Sequence, residues 1–149
     1  MVTVRNITDA VNAELVKVFP GAQAHIDACP EDFSRPAYLI ALNKIARDCV
    51  NKSTQSVQAI VIVTYFGELN DKGVCDRDAL HDAQNNIFKI FAGGSFAVGD
   101  RHLQVAAAGA DGPEGSTAVA ATFSFFDDRG IAAEDLPAMG TVGLTVKEV

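Results

Sequence analysis

Bulky apolar residues crowd into one run, Val57 to Phe66 (VQAIVIVTYF), in a pattern that no helix explains. Odd positions carry Val57, Ala59, Val61, Val63 and Tyr65, and even positions carry Gln58, Ile60, Ile62, Thr64 and Phe66. An extended strand sends alternate side chains to opposite faces, so both faces of this one are largely apolar. Such a strand belongs in mid-sheet with cover on both sides. The preceding stretch, Ala37 to Asp48 (AYLIALNKIARD), is apolar on both faces at first and polar later. Asn51-Lys52-Ser53 turns it back into the central run, which predicts a long hairpin with a polar, irregular tip.

Two stretches follow helical periodicity instead. Val4, Ile7, Val11, Leu15 and Val18 recur at three- and four-residue steps behind Thr3, a capping residue, and Phe19-Pro20-Gly21 ends the stripe. A short strand over Ala22 to Asp27 follows, then a loop from Cys29 to Pro36 with a proline near each end. Gly67 to Cys75 reads as a loop around an Asn-Asp-Lys-Gly turn. Asp76 opens a second helix with Leu80, Ala83, Ile87, Ile90 and Phe91 on one face and Gly93-Gly94 at its exit.

The last third predicts another hairpin. Leu103, Val105 and Ala107 alternate on the outgoing strand, Gly109 to Gly115 is a glycine-rich acidic loop, and Val119, Ala121, Phe123 and Phe125 alternate on the return. Asp127-Asp128-Arg129-Gly130 closes the compact part as a solvated end. The order helix, strand, hairpin, helix, hairpin predicts an α+β fold: a mainly antiparallel sheet with two helices packed on one face. The division expected is one domain over 1–130 and an extension over 131–149, which holds one short strand at Thr141 to Val146. Helices on one face leave the other without cover.

Composition narrows the function. With 149 residues the chain suits one domain. Its 12 Lys and Arg against 19 Asp and Glu give a net charge of −7, which argues against gripping phosphates. DNA passing without being held remains compatible. The N-terminus lacks a basic region followed by an apolar core, and the longest apolar run is too short to span a bilayer, so a cytosolic protein with no membrane partner is expected. Cys29, Cys49 and Cys75 are odd in number, widely spaced and outside any CxxC pattern, which predicts reduced thiols and no metal site.

Candidate chemistry is sparse. His25, His81 and His102 fall in three different elements and read as surface or boundary residues. Cys75, near a helix start, has no visible partner base. The pairs Glu31-Asp32, Asp127-Asp128 and Glu134-Asp135 lack the periodicity of a calcium loop and read as solvated loop ends. Ala108 to Gly115 has the glycine content of a phosphate cradle but lacks its lysine and its strand-to-helix setting, so a mobile hairpin tip is the better reading. No triad order, nucleophile elbow or dinucleotide fingerprint is present. We expect no enzyme, no cofactor and no catalytic, cofactor-binding or metal residues.

The opening MVTVRNITDAVNAELVKVFPGAQAHID, an amphipathic helix followed by Phe-Pro and a short strand, resembles the small tail terminator (tail-completion) proteins of long-tailed phages and prophages. Phe33-Ser34-Arg35-Pro36-Ala37-Tyr38-Leu39-Ile40 is similar to the family's lead into a long strand. The Tyr65-Phe66 pair, the acidic start of the second helix and the closing aromatics Phe123, Phe125 and Phe126 complete the resemblance, which covers about residues 1–128.

The resemblance implies a non-enzymatic virion protein. It would form a homo-oligomeric ring, usually a hexamer, that caps the tail tube, ends its polymerisation and offers a surface for joining the head. The implied partners are further copies of itself, the tail tube protein and a head–tail connector or neck protein, with DNA passing through the lumen. The place implied is the virion tail or neck, assembled in the host bacterial cytoplasm. The residues expected to touch a neighbour or the tube are Asn51 and Lys52 at one hairpin tip, Glu68, Asp71 and Lys72 in the Gly67–Cys75 loop, Asp111 and Glu114 at the other tip, and Leu144 and Val146 in the extension. They lie on polar, irregular segments carried by rigid strands, where contacts commonly form. The alternatives are a connector or neck ring component and a small α+β ligand-binding module.

Overall fold

A computed structural model describes residues 2–110 and 112–128 of the chain. The predicted extension, with its strand at Thr141 to Val146, lies outside the described residues. Two helices, α1 (Val4–Val18) and α2 (Arg77–Ile90), accompany six strands: β1 (Gln23–Ile26), β2 (Ala37–Cys49), β3 (Thr54–Phe66), β4 (Ser95–Val98), β5 (Arg101–Ala110) and β6 (Ser116–Asp128). They form one sheet of order β1-β2-β3-β6-β5-β4. Only β1 and β2 run parallel; every other described pairing is antiparallel. The α+β class and mainly antiparallel sheet expected from the sequence are those observed.

The helices start where their caps dictate. Thr3 Oγ1 accepts the Asn6 amide at 3.1 Å while Asn6 Oδ1 accepts the Thr3 amide at 2.9 Å, a reciprocal capping box. Ile7, Val11 and Leu15 then bury one stripe of α1. Asp76 caps α2 by accepting the Asp78 amide at 3.1 Å, and Ala83, Ile87 and the following Phe91 face inward. On the hairpin tip between β2 and β3, Asn51 Oδ1 accepts the amides of Ser53 and Thr54, which holds the polar turn closed.

β3 lies between β2 and β6, the mid-sheet place its composition demands. Its odd residues Val57, Ala59, Val61 and Val63 are fully buried under the helices. Tyr38 and Ile40 of β2, Leu103 and Val105 of β5, and Val119, Ala121, Phe123 and Phe125 of β6 join the same core. Phe91, Phe96 and Phe123 pack with ring centroids 5.4 to 6.0 Å apart beneath α2. The opposite face is covered differently. Phe66 is buried there by Phe33, but Ile60, Ile62 and Thr64 are only half-buried and Phe126 is 62% exposed.

Two features depart from the sequence reading. Ser95–Val98, for which the sequence predicts no element, is an edge strand pairing with Arg101–Gln104. Phe96 and Val98 alternate inward between a Gly93-Gly94 turn and a Gly99-Asp100 turn, a signal too short to separate from a loop. The pair Asp127-Asp128 is not uniformly solvated. Asp127 is buried because it accepts the Val2 amide at 2.9 Å and pairs with Arg101 at 3.3 Å, whereas Asp128 is exposed.

Candidate assembly surface

Antiparallel pairing sorts the connecting segments to the two ends of the sheet. Phe66 sits opposite both Ala37 and Ser116, so the loops 28–36, 67–75 and 112–115 meet at one end. Asn51 and Lys52 lie at the other, with Asp128 and the Gly99-Asp100 turn. The expected contact residues therefore separate into two groups. Glu68, Asp71, Lys72 and Glu114 share one exposed end, and Asn51 and Lys52 are exposed at the far one. Asp111, Leu144 and Val146 lie outside the described residues.

Arg35 ties the first group together. Its Nη1 donates to the carbonyls of Gly67 at 3.0 Å and Gly115 at 3.1 Å, and Gly67 N donates to Gly115 O at 3.3 Å. The guanidinium also lies 5.3 Å from the Phe33 ring centroid and 5.6 Å from that of Phe66, where the ring faces attract a cation. Phe33 itself packs tilted against Phe66, with ring centroids 4.6 Å apart, and meets His25 edge-on at 6.3 Å. Glycine is required where these loops approach. A Cβ on Gly67 would come within 2.5 Å of Cys75 Sγ, and Gly115 has φ +76° with Arg35 Nη1 3.1 Å from where its Cβ would stand.

Loop 67–75 is shaped by Asn70, whose Oδ1 accepts the amides of Lys72 and Val74, and by a bridge between Leu69 and Cys75. This arrangement turns Leu69 (45% exposed) and Val74 (56% exposed) outward at the rim of a cavity of about 370 Å³. The cavity runs from Pro36 and Tyr65 to Leu80 at the start of α2. Sequence reasoning selected the charged neighbours Glu68, Asp71 and Lys72 and passed over this apolar pair. An isolated Leu or Val in a polar loop carries no periodicity that marks it as outward. Tyr65, stacked on Phe19 at 4.5 Å, has its phenol pushed above the usual value by burial first and by Glu68 and Cys75 beside it. Tyr38 is raised by burial and donates to Asn12 Oδ1 at 2.8 Å.

The histidines remain apart. His81 and His102 are exposed, and His25 is half-buried with its Nε2 enclosed and without a hydrogen-bond partner among the described residues. No group of His, Cys, Asp and Glu among the described residues can hold a metal ion, and no described helix is long and apolar enough to cross a membrane.

A rigid sheet with loops gathered at its ends and one face left half-covered has the build of an assembly component. The chain belongs to a family of phage tail terminator proteins, whose pattern matches residues 6–132. The family is structural and serves tail completion in the virion. A comparison with curated proteins found no match.

Proposed function

We propose that copies of this chain form a ring, a hexamer in the simplest case, that caps the tail tube, ends its polymerisation and presents the surface to which the head is joined. The observation that carries this is the second face of the sheet. Ile60, Ile62 and Thr64 on β3 lie beside Ala120 and Thr122 on β6 and Leu39 and Ala41 on β2, half-buried, with Phe126 exposed at the far end. Wetting that much of a six-stranded sheet's apolar surface is costly, and cover from other protein relieves it.

In this reading neighbouring copies and the tail tube protein supply that cover, and a neck or connector protein meets the opposite side of the ring. The loop end built on Arg35, with Glu68, Asp71, Lys72 and Glu114, makes contacts at the rim, as do Asn51 and Lys52 at the other end. A net charge of −7 suits a lumen through which DNA slides without being bound. The ring acts in the tail or neck of the virion after assembly in the host cytoplasm. The extension over 131–149 serves as an arm between subunits, and truncation after Gly130 lowers the oligomer mass.

Electron microscopy of particles lacking the protein tests the proposal. Abnormally long, headless tails support it. Tails of normal length with unfilled or leaking heads would assign the protein to the connector instead.

A further inference from the structure

The outline of the sheet is stepped. β1 pairs only with Ala37–Ile40, so the outer edge of β2 from Ala41 to Cys49 has no strand beside it among the described residues. On the opposite side β4 pairs only with Arg101–Gln104, leaving the outer edge of β5 from Ala106 to Ala110 in the same condition. Two hydrogen bonds show which backbone groups point outward. Ile40 O accepts the Asp27 amide at 2.8 Å, and Val105 N donates to Gly94 O at 3.0 Å. Alternation along an extended strand then directs Ala107 and Gly109 outward as well. Beyond the bulge between Leu42 and Lys44, Ile45 and Arg47 take up the outward phase, since they share the helix face with Ile40 through the partners Ala59 and Val57.

We infer that these two edges pair with each other between copies: β2 of one copy adds antiparallel to β5 of the next, continuing the sheet from subunit to subunit. This rests on the ring reading and names its joint. Three observations select this occupant. Unpaired strand edges recruit another strand, and natural sheets commonly guard them with charge or proline; the β5 edge, Ala106-Ala107-Ala108-Gly109-Ala110, has neither. The β2 edge carries Lys44, Arg47 and Asp48, so a second β2 edge is accepted only in a register that sets unlike charges together, while an uncharged β5 edge accepts one at no electrostatic cost. The directions also agree. β2 and β5 run in opposite senses on opposite borders of one sheet, so rotating a copy about an axis roughly along the strands sets them antiparallel. Contact between unlike borders is head-to-tail, the kind that closes into rings.

Placing Ile45 opposite Gly109 and Arg47 opposite Ala107 brings Ala46 opposite Ala108 on the uncovered face. β1 and β4 then flank the new pair rather than obstruct it. All helices lie on one side of the shared sheet, and the face of Ile60, Ile62 and Phe126 lies on the other.

The test is an engineered disulfide. With Cys29, Cys49 and Cys75 replaced by serine, Ala46→Cys and Ala108→Cys are introduced into the full chain. Within one copy these positions are about 19 Å apart, three strand spacings across and four residues along, far beyond disulfide reach. Mild oxidation should give a ladder of cross-linked chains ending at the ring's copy number, and neither single variant should cross-link. Light scattering before oxidation separates the outcomes. An assembled mass with no cross-link overturns the edge pairing while the ring stands, and efficient cross-linking of Ala108→Cys alone overturns it in favour of a two-fold β5 joint. A chain that stays monomeric by itself and on tail tube ends overturns the ring and the joint together. As a second probe, Ala107→Pro removes an outward amide; it should weaken assembly by about tenfold or more with circular dichroism unchanged.

Discussion

Arg35 occupies a place that its sequence neighbourhood hardly advertises. One guanidinium holds two loops through the carbonyls of Gly67 and Gly115 and covers two phenylalanine rings. Arg35→Ala should lower stability by about 2 kcal/mol in urea unfolding, since hydrogen bonds to a charged group and a cation–π contact are lost together. Arg35→Lys should recover only part of that, because an ammonium cannot keep the planar fork over the rings. The tyrosines give a pH signature. Burial holds the phenols of Tyr38 and Tyr65 above their ordinary 10.0, so the fold favours their neutral forms. That contribution is complete below about pH 10 and is lost as pH rises through the raised folded values. Urea midpoints should fall in this alkaline window, and Tyr38→Phe should flatten the fall while costing about 1 kcal/mol at neutral pH through the lost bond to Asn12.

Helix α2 and strand β3 show how differently two faces of one structure respond to change. Ile87 is fully buried between α2 and the sheet, and Ile87→Ala should cost about 3 kcal/mol of unfolding free energy by leaving a cavity. Ile62, on the uncovered face, is only half-buried. Ile62→Ser should change the unfolding of a dilute, unassembled chain much less than Ile87→Ala does. Its larger effect should be seen in assembled mass by light scattering. Equal losses at the two sites in dilute protein would show that the face is already covered within one copy. The α1 cap is worth less: Thr3→Ala, which removes the side chain of a capping box, should cost about 1 kcal/mol.

The molecule joins strong local patterns to long-range decisions. Both helices, the cap at Thr3, the β2–β3 hairpin and the mid-sheet place of β3 were legible because each rests on periodicity or turn chemistry within some fifteen residues. β4 was not, since four residues at a sheet edge show one alternation and no more. Asp127 was read as solvated because the partners that bury it, Val2 and Arg101, are brought near only by folding. The contact surface divided the same way. Among the described residues, Asn51, Lys52, Glu68, Asp71, Lys72 and Glu114 are exposed, but only the pairing of Phe66 with Ala37 and Ser116 shows that the last four share one end and the first two lie opposite. The apolar pair Leu69 and Val74 became visible only once Asn70 was seen to shape its loop. By itself, then, the sequence determined both helices, five of the six strands, the α+β class and the resemblance to tail terminators, because hydrophobic period and caps act between near neighbours. The tertiary structure alone decided which loops share an end, which strand edges are unpaired among the described residues and which acid is buried. Those are contacts between residues far apart in the chain, and local pattern carries no information about them.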